Sequence, residues 1–173
     1  VIIQRANMTS TLSAIGETVK IIADCLPKDE GEILDCGCGE GIYGMVLKSI
    51  FRNKIRIEGI DLQEGQFISG IYDRFYKSSL LEWGYDYYYD VVLFLHVLEH
   101  FPMDQAIQII ERFKQNCETM IVGLPNSRKD HIYTGTGPHS HKWGIHDFPF
   151  EKVGLTRTNA KSNIYKWKYK ENK

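Results

Sequence analysis

Between Ile33 and Gly44 the chain reads I-L-D-C-G-C-G-E-G-I-Y-G, which sets an acid at Asp35 and glycines at Gly37, Gly39, Gly41 and Gly44. Ile33 and Leu34 lead in as the end of a buried strand. Met45, Val46, Leu47, Ile50 and Phe51 follow as the apolar side of a helix. Strand, glycine-rich turn and helix is the layout in which a parallel α/β sheet holds a nucleotide-like cofactor. Glycines take positive φ and let a ligand approach main-chain N–H groups with no Cβ in the way. The helix N-terminus behind them offers unsatisfied N–H groups and a positive dipole end to an anionic group. A bare turn would not need so many glycines in so short a stretch.

Other residues bear on the chemistry. Gly39, Gly41 and Gly44 satisfy G-x-G-x-x-G, and Asp61 follows about twenty residues on, where a ribose-binding acid belongs. His96 and His100 lie in H-V-L-E-H, a formal match to the inverted zinc-protease motif H-x-x-E-H. Zinc chemistry would need both histidines on a stable helix and a third ligand elsewhere. Here the motif follows a buried strand directly, and Pro102 bars it from the interior of a long helix. Cys36 and Cys38 are too close for an ordinary bridge, and no second pair completes a metal site with them. They read as turn-filling residues in a reducing, cytoplasmic setting.

These residues require a frame of alternating strands and helices. Thr9 to Leu26 carries Leu12, Ile15, Val19, Ile22 and Leu26 at helical spacing, with Pro27 as its stop. Ile55 to Ile60 reads as the second strand, and Glu64 to Tyr72 as a short helix. Phe75 to Leu81 is the best third strand. Asp90 to Leu95 is a continuous apolar run, as in a central parallel strand buried on both faces. Met103 to Cys117 is an amphipathic helix and Thr119 to Leu124 a fifth strand. A long polar loop covers Asn126 to Lys142. Gly154 to Asn159 and Asn163 to Tyr169 then read as a hairpin. This order predicts a doubly wound, mostly parallel α/β sheet with a C-terminal antiparallel hairpin. The expected organisation is one domain over 1–173, with an N-terminal helical segment (1–28) before a cofactor-binding core (29–173).

The chain has 173 residues, 43% hydrophobic and 25% charged, which suits a soluble globular protein rather than a disordered one. A formal charge of −1 and the lack of a long basic run give no indication of nucleic-acid binding. No apolar run reaches the length of a membrane span, and no secretion signal is recognisable. Tyr85, Tyr87, Tyr88 and Tyr89 are read as aromatic packing at a strand entry or an oligomer surface rather than as a platform for bases.

The D-x-G-x-G-x-G of Asp35, Gly37, Gly39 and Gly41 resembles the first motif of the class I S-adenosylmethionine-dependent methyltransferases. Dinucleotide enzymes usually begin with glycine at the strand end, without that acid. D-V-V-L-F-L-H-V-L-E-H-F, over 90–101, resembles the fourth-strand motif of the ubiquinone-biosynthesis O-methyltransferases and their relatives. His139, Trp143, Asp147 and Phe148 resemble the H-x-x-x-W-x-x-x-D-F segment of many small methyltransferases, with Trp143 and Phe148 as core anchors. The resemblance implies a Rossmann-like methyltransferase fold and S-adenosylmethionine as cofactor, leaving S-adenosylhomocysteine as product. Asp35, Gly37, Cys38, Gly39 and Gly41 would then cradle the methionine end. Asp61 and Leu62 would take the ribose side, Ser79 and Leu80 the adenine edge. His96 would lie beside the methionine portion and, with His139, supply a catalytic base.

Two departures from the family pattern matter. Serines stand where an acid near the third strand's end commonly binds adenine. His96 replaces the first acid of the E-x-x-E-H by which some relatives hold a divalent metal, so no metal is expected. The expected acceptor is a small molecule, because little of the chain lies outside a minimal core. A homodimer through the tyrosine run or the last strand is compatible with these features. The rival readings are a nicotinamide-dependent oxidoreductase, disfavoured by Asp35 and L-E-H, and a non-catalytic module of the same fold acting through a partner.

Overall fold

Successive residues of the central strands point to opposite sides of the sheet, and both sides are apolar. Ile33, Val91, Leu93 and Ile121 pack on one side, and Leu34, Val92, Phe94, Met120 and Val122 on the other. The strand period of two is thereby used twice, and the run read as doubly buried is so. The computed structural model describes residues 12–27, 30–65, 68–84, 86–124, 142–143, 147–158 and 163–169. In chain order the elements are α1 (Leu12–Ala23), β1 (Gly31–Cys36), α2 (Ile42–Phe51), β2 (Ile55–Asp61), β3 (Arg74–Lys77), β4 (Tyr89–Leu95), α3 (Met103–Phe113), β5 (Cys117–Gly123), β6 (Thr156–Arg157) and β7 (Ile164–Lys168).

The sheet runs β3-β2-β1-β4-β5-β7-β6. Its first five strands pair in parallel, while β7 pairs antiparallel with both β5 and β6. Strand order reverses between β1 and β4, so the crevice beyond their carboxyl ends is where a ligand belongs. α1 and α2 cover one face through Val19, Ile22, Leu47 and Phe51. α3 covers the other through Ala106, Ile109, Ile110 and Phe113. Trp143 and Phe148 join that second core, 6% and 5% exposed, as the anchors expected. No helix among the described residues is long and apolar enough to cross a membrane.

Two expected elements differ. The described residues of 64–72 form turns rather than a helix. Gly70 takes φ 85°, and Tyr72 is drawn inward to a buried hydrogen bond with Asp35. The third strand ends at Lys77 rather than Leu81, because after the Ser78 N–H bonds the Asp61 carbonyl at 3.0 Å a tight turn begins, with the Ser79 carbonyl taking the Glu82 and Trp83 N–H groups.

The tyrosine run has a specific job. Tyr85 lies outside the described residues. Tyr89, 1% exposed, donates its hydroxyl to Glu58 Oε2 at 2.7 Å, and Tyr76 donates to the same oxygen at 2.8 Å. Arg56 Nη2 reaches Glu58 Oε1 at 2.5 Å. Tyr87 donates to Glu32, which also takes Arg56 Nη1 at 3.2 Å. A carboxylate 1% exposed is tolerable only with such donors. Tyr89→Phe removes one of three and is expected to lower unfolding free energy by ~1.5–3 kcal/mol, as for a hydrogen bond to a charged group. Urea denaturation with an unchanged m-value checks it, and an unchanged midpoint would show that the network carries no stability.

Candidate functional site

The turn after β1 is left-handed at Gly37 (φ 71°), Gly39 (φ 52°) and Gly41 (φ 84°). Gly37 is glycine for a second reason. A Cβ there would lie 2.3 Å from Val97 Cγ2, so the segment after β4 packs directly on the turn. At Gly39 an added Cβ would meet no atom within 4 Å, so the backbone there faces open space. Gly41 precedes α2 and has no side chain with which to cap it. In that first turn the Gly44 N–H meets the Tyr72 hydroxyl, and the positive end of the helix faces the glycine turn.

Asp61 stands at the carboxyl tip of β2, half-buried, beside Leu62, which is 61% exposed. Its Oδ2 accepts the Gly39 N–H at 2.9 Å and its Oδ1 the Gln63 N–H at 3.1 Å. The expected ribose acid and the glycine turn are thus brought together. Asp35 lies deeper, 2% exposed, with its Oδ2 accepting the Tyr72 hydroxyl at 2.7 Å. Cys38 is buried against the same core as Tyr72.

Ser78 and Ser79 lie just past the Lys77–Asp61 register pair. The Ser79 hydroxyl accepts the Leu81 N–H at 3.2 Å, and its carbonyl takes the N–H groups of Glu82 and Trp83. Leu80 is buried, 4% exposed, and its carbonyl and that of Leu81 accept the Arg112 guanidinium from α3. This turn forms a hydrogen-bonded shelf beside Asp61, whose carbonyl takes the Ser78 N–H. On the other flank, His96 is the first residue past β4, with φ 60° and its N–H on the Gly123 carbonyl at 2.9 Å. A non-glycine residue held left-handed beyond a central strand stores strain of the kind found at functional sites. Its Nδ1 lies 3.9 Å from Glu99 Oε1.

Asp35, Cys38, the glycines, Asp61, Leu62, Ser79, Leu80 and His96 thus all fall along the carboxyl edge of the parallel strands. His139 lies outside the described residues. Four neighbours escaped the sequence reading: Tyr72, Val97, Arg112 and Gly65. A Cβ on Gly65 would lie 2.2 Å from the Gly39 carbonyl, so the loop after β2 leans on the turn. The glycines at 44 and 59 make room for the Tyr72 ring, a Cβ at either falling within 3 Å of it. Two clefts, of about 420 and 840 Å³, open at the opposite, amino ends of the strands, one beside Tyr88 and Asn116 and one beside Gly31 and Ile55. Neither touches the glycine turn. The described residues hold no cluster of three or more His, Cys, Asp or Glu side chains suited to a metal ion.

A family model described as a methyltransferase domain matches residues 9–143. Among solved structures, the chain is similar to magnesium protoporphyrin IX methyltransferase from Synechocystis PCC 6803 with bound SAH. That match has 18% identity, covers 89% of this chain and 81% of that one, and has a TM-score of 0.63. Coclaurine N-methyltransferase bound to N-methylheliamine and SAH matches at 12% identity over 88% of this chain and 51% of that one, with a TM-score of 0.64. CalO1, a methyltransferase in calicheamicin biosynthesis in its SAH-bound form, matches at 12% identity over 89% and 53%, with a TM-score of 0.57. The chain spans about half the length of these last two. At such identities the likeness is one of fold. No curated protein sequence matches the chain.

Two buried acids give the site a pH signature. Burial pushes the Asp35 carboxyl up to about 6, against the opposing Tyr72 hydrogen bond and with a further push from the Asp61 charge. Burial pushes Glu99 up to about 8. Each binds its proton more tightly folded than unfolded, so each stabilises fully below its unfolded value and loses that contribution as pH rises through its folded one. Stability in urea is therefore expected to fall from about pH 4 to about pH 8. Asp35→Asn is expected to flatten the lower part of that fall and to raise stability at neutral pH by ~1–3 kcal/mol. A D35N profile parallel to wild type would overturn the assignment.

Proposed function

The chain belongs to the methyltransferase-domain family, and from that premise we propose that it transfers the methyl group of S-adenosylmethionine to a small-molecule oxygen or nitrogen acceptor. The observation that carries this reading is the pairing of an open left-handed turn with an acid at the next strand's tip. Gly39 faces space that a Cβ would enter, and its N–H already bonds Asp61 at 2.9 Å.

The residues present fit the cofactor. The positive end of α2 behind Gly41 and the turn N–H groups suit the carboxylate of its methionine end. Asp61 offers acceptor oxygens to a pair of ribose hydroxyls, and exposed Leu62 gives an apolar wall beside them. The shelf at Ser79 and Leu80, pinned by Arg112, bounds the adenine side. Asp35 supports the turn from below through Tyr72. When bound, the cofactor supplies an electrophilic methyl on sulfur.

The chain's own work is then mostly alignment. Positioning and exclusion of water supply roughly 7–11 kcal/mol of barrier reduction in well-oriented systems. His96, 41% exposed at the mouth of the crevice, is placed to take a proton from an acceptor hydroxyl. An amine acceptor needs that base less.

Titration calorimetry with S-adenosylhomocysteine tests the reading, with NADH in parallel. Saturable binding of the former is expected, weakened at least about tenfold in Asp61→Ala, the worth of one to two charge-assisted hydrogen bonds. Binding of NADH alone would overturn the proposal. Binding of neither by folded protein would leave a methyltransferase fold that serves partner recognition.

A further inference from the structure

Glu99 is a buried acid that the cofactor reading leaves unused. It lies in the short turn Leu98–His100 just after β4 and is 2% exposed. The cover over it is specific. Lys142 donates its N–H to the Glu99 carbonyl at 2.8 Å, and Trp143 Nε1 donates to the Phe101 carbonyl at 2.9 Å. Inside this cover the Glu99 Oε2 atom has no hydrogen-bond partner among the described residues. Oε1 looks outward to the His96 imidazole, with Nδ1 at 3.9 Å. Apart from its own backbone N–H, burial alone shifts the carboxyl, and no other described charge acts on it.

A glutamate kept only to shape a turn would be costly here, since a buried carboxylate with one oxygen unpartnered is disfavoured and glutamine would fit the same space. The cost is offset where a neighbouring cation forms on demand. His96 is that neighbour. Its left-handed backbone, fixed by the bond to Gly123, points one ring edge at Glu99 while the side chain stays 41% exposed. Val97, next in sequence, packs on Gly37, so this histidine is held in step with the glycine turn.

We propose that Glu99 is the positioning residue of His96, its carboxylate holding the proton on Nδ1 so that Nε2 is the basic nitrogen turned to the acceptor. The inference rests on the reading of His96 as the residue facing the acceptor. The 3.9 Å separation is a charge contact that a small ring rotation closes to a hydrogen bond, as catalytic contacts often tighten once ligands bind. In the step itself the acceptor's proton passes to Nε2, and the imidazolium so formed is balanced by the carboxylate. Removing the carboxylate removes the charge that favours a proton on Nδ1 over Nε2.

The test is nitrogen-15 NMR of the His96 ring in the full chain, with and without S-adenosylhomocysteine, assigned with His96→Asn. It compares wild type with Glu99→Gln at about pH 9, where the carboxyl is ionised. Wild type is expected to carry its proton on Nδ1, with Nε2 bare. E99Q is expected to lose that preference, as loss of a facing charge requires. A wild-type ring protonated on Nε2 overturns the proposal, and that spectrum decides even if E99Q fails to fold. So does an E99Q ring that keeps the same Nδ1 preference at that pH. Absence of S-adenosylhomocysteine binding would fail the cofactor reading separately, because the tautomer is read with or without ligand.

Discussion

The register of β1 against β4 is the constraint on which the rest of the molecule depends. Ile33 lies beside Val91 and Cys36 beside Phe94. That pairing sends Ile33, Val91 and Leu93 to one core and Leu34, Val92 and Phe94 to the other. A one-residue slip would exchange the sets and set the packing of three helices against the wrong faces. It would also part Gly37 from Val97, and with that contact the join between the turn and the segment carrying His96 and Glu99. The site is therefore a by-product of sheet registration. Its two halves come from strands distant in sequence and adjacent in space.

The interior is polar at one point and unsatisfied at another, and the contrast is informative. Glu58 is buried but collects donors from Tyr76, Tyr89 and Arg56. Its cost is met locally, and it serves as a structural hub midway along β2. Asp35 receives one hydroxyl, and Glu99 keeps an oxygen without a partner. Both of these lie toward the carboxyl ends.

Local features of the sequence carried much of this. Asp35 and the glycines of the turn are visible because φ > 0 and a strand end leave few alternatives to glycine. The run Val91 to Leu95 is visible because burial on both faces removes polar alternation. Trp143 and Phe148 were legible as anchors from the resemblance. Tyr72 was not, since its partners Asp35, Gly44 and Gly59 come from three separate elements and no period links them. The expected helix over 64–72 failed for the same reason: its apolar spacing is used to fold a loop inward. Arg112 sits on an amphipathic helix like any surface arginine, and only the tertiary structure shows it reaching the Leu80 and Leu81 carbonyls. His139 and its neighbours lie outside the described residues.

The bond from the Gly39 N–H to Asp61 carries a consequence for how the carboxylate is held. Each of its oxygens already takes one backbone N–H, from Gly39 and from Gln63, and keeps a second lone pair for another donor. The acid is therefore aimed in advance, and a donor that reaches it meets a side chain already ordered by the turn it belongs to.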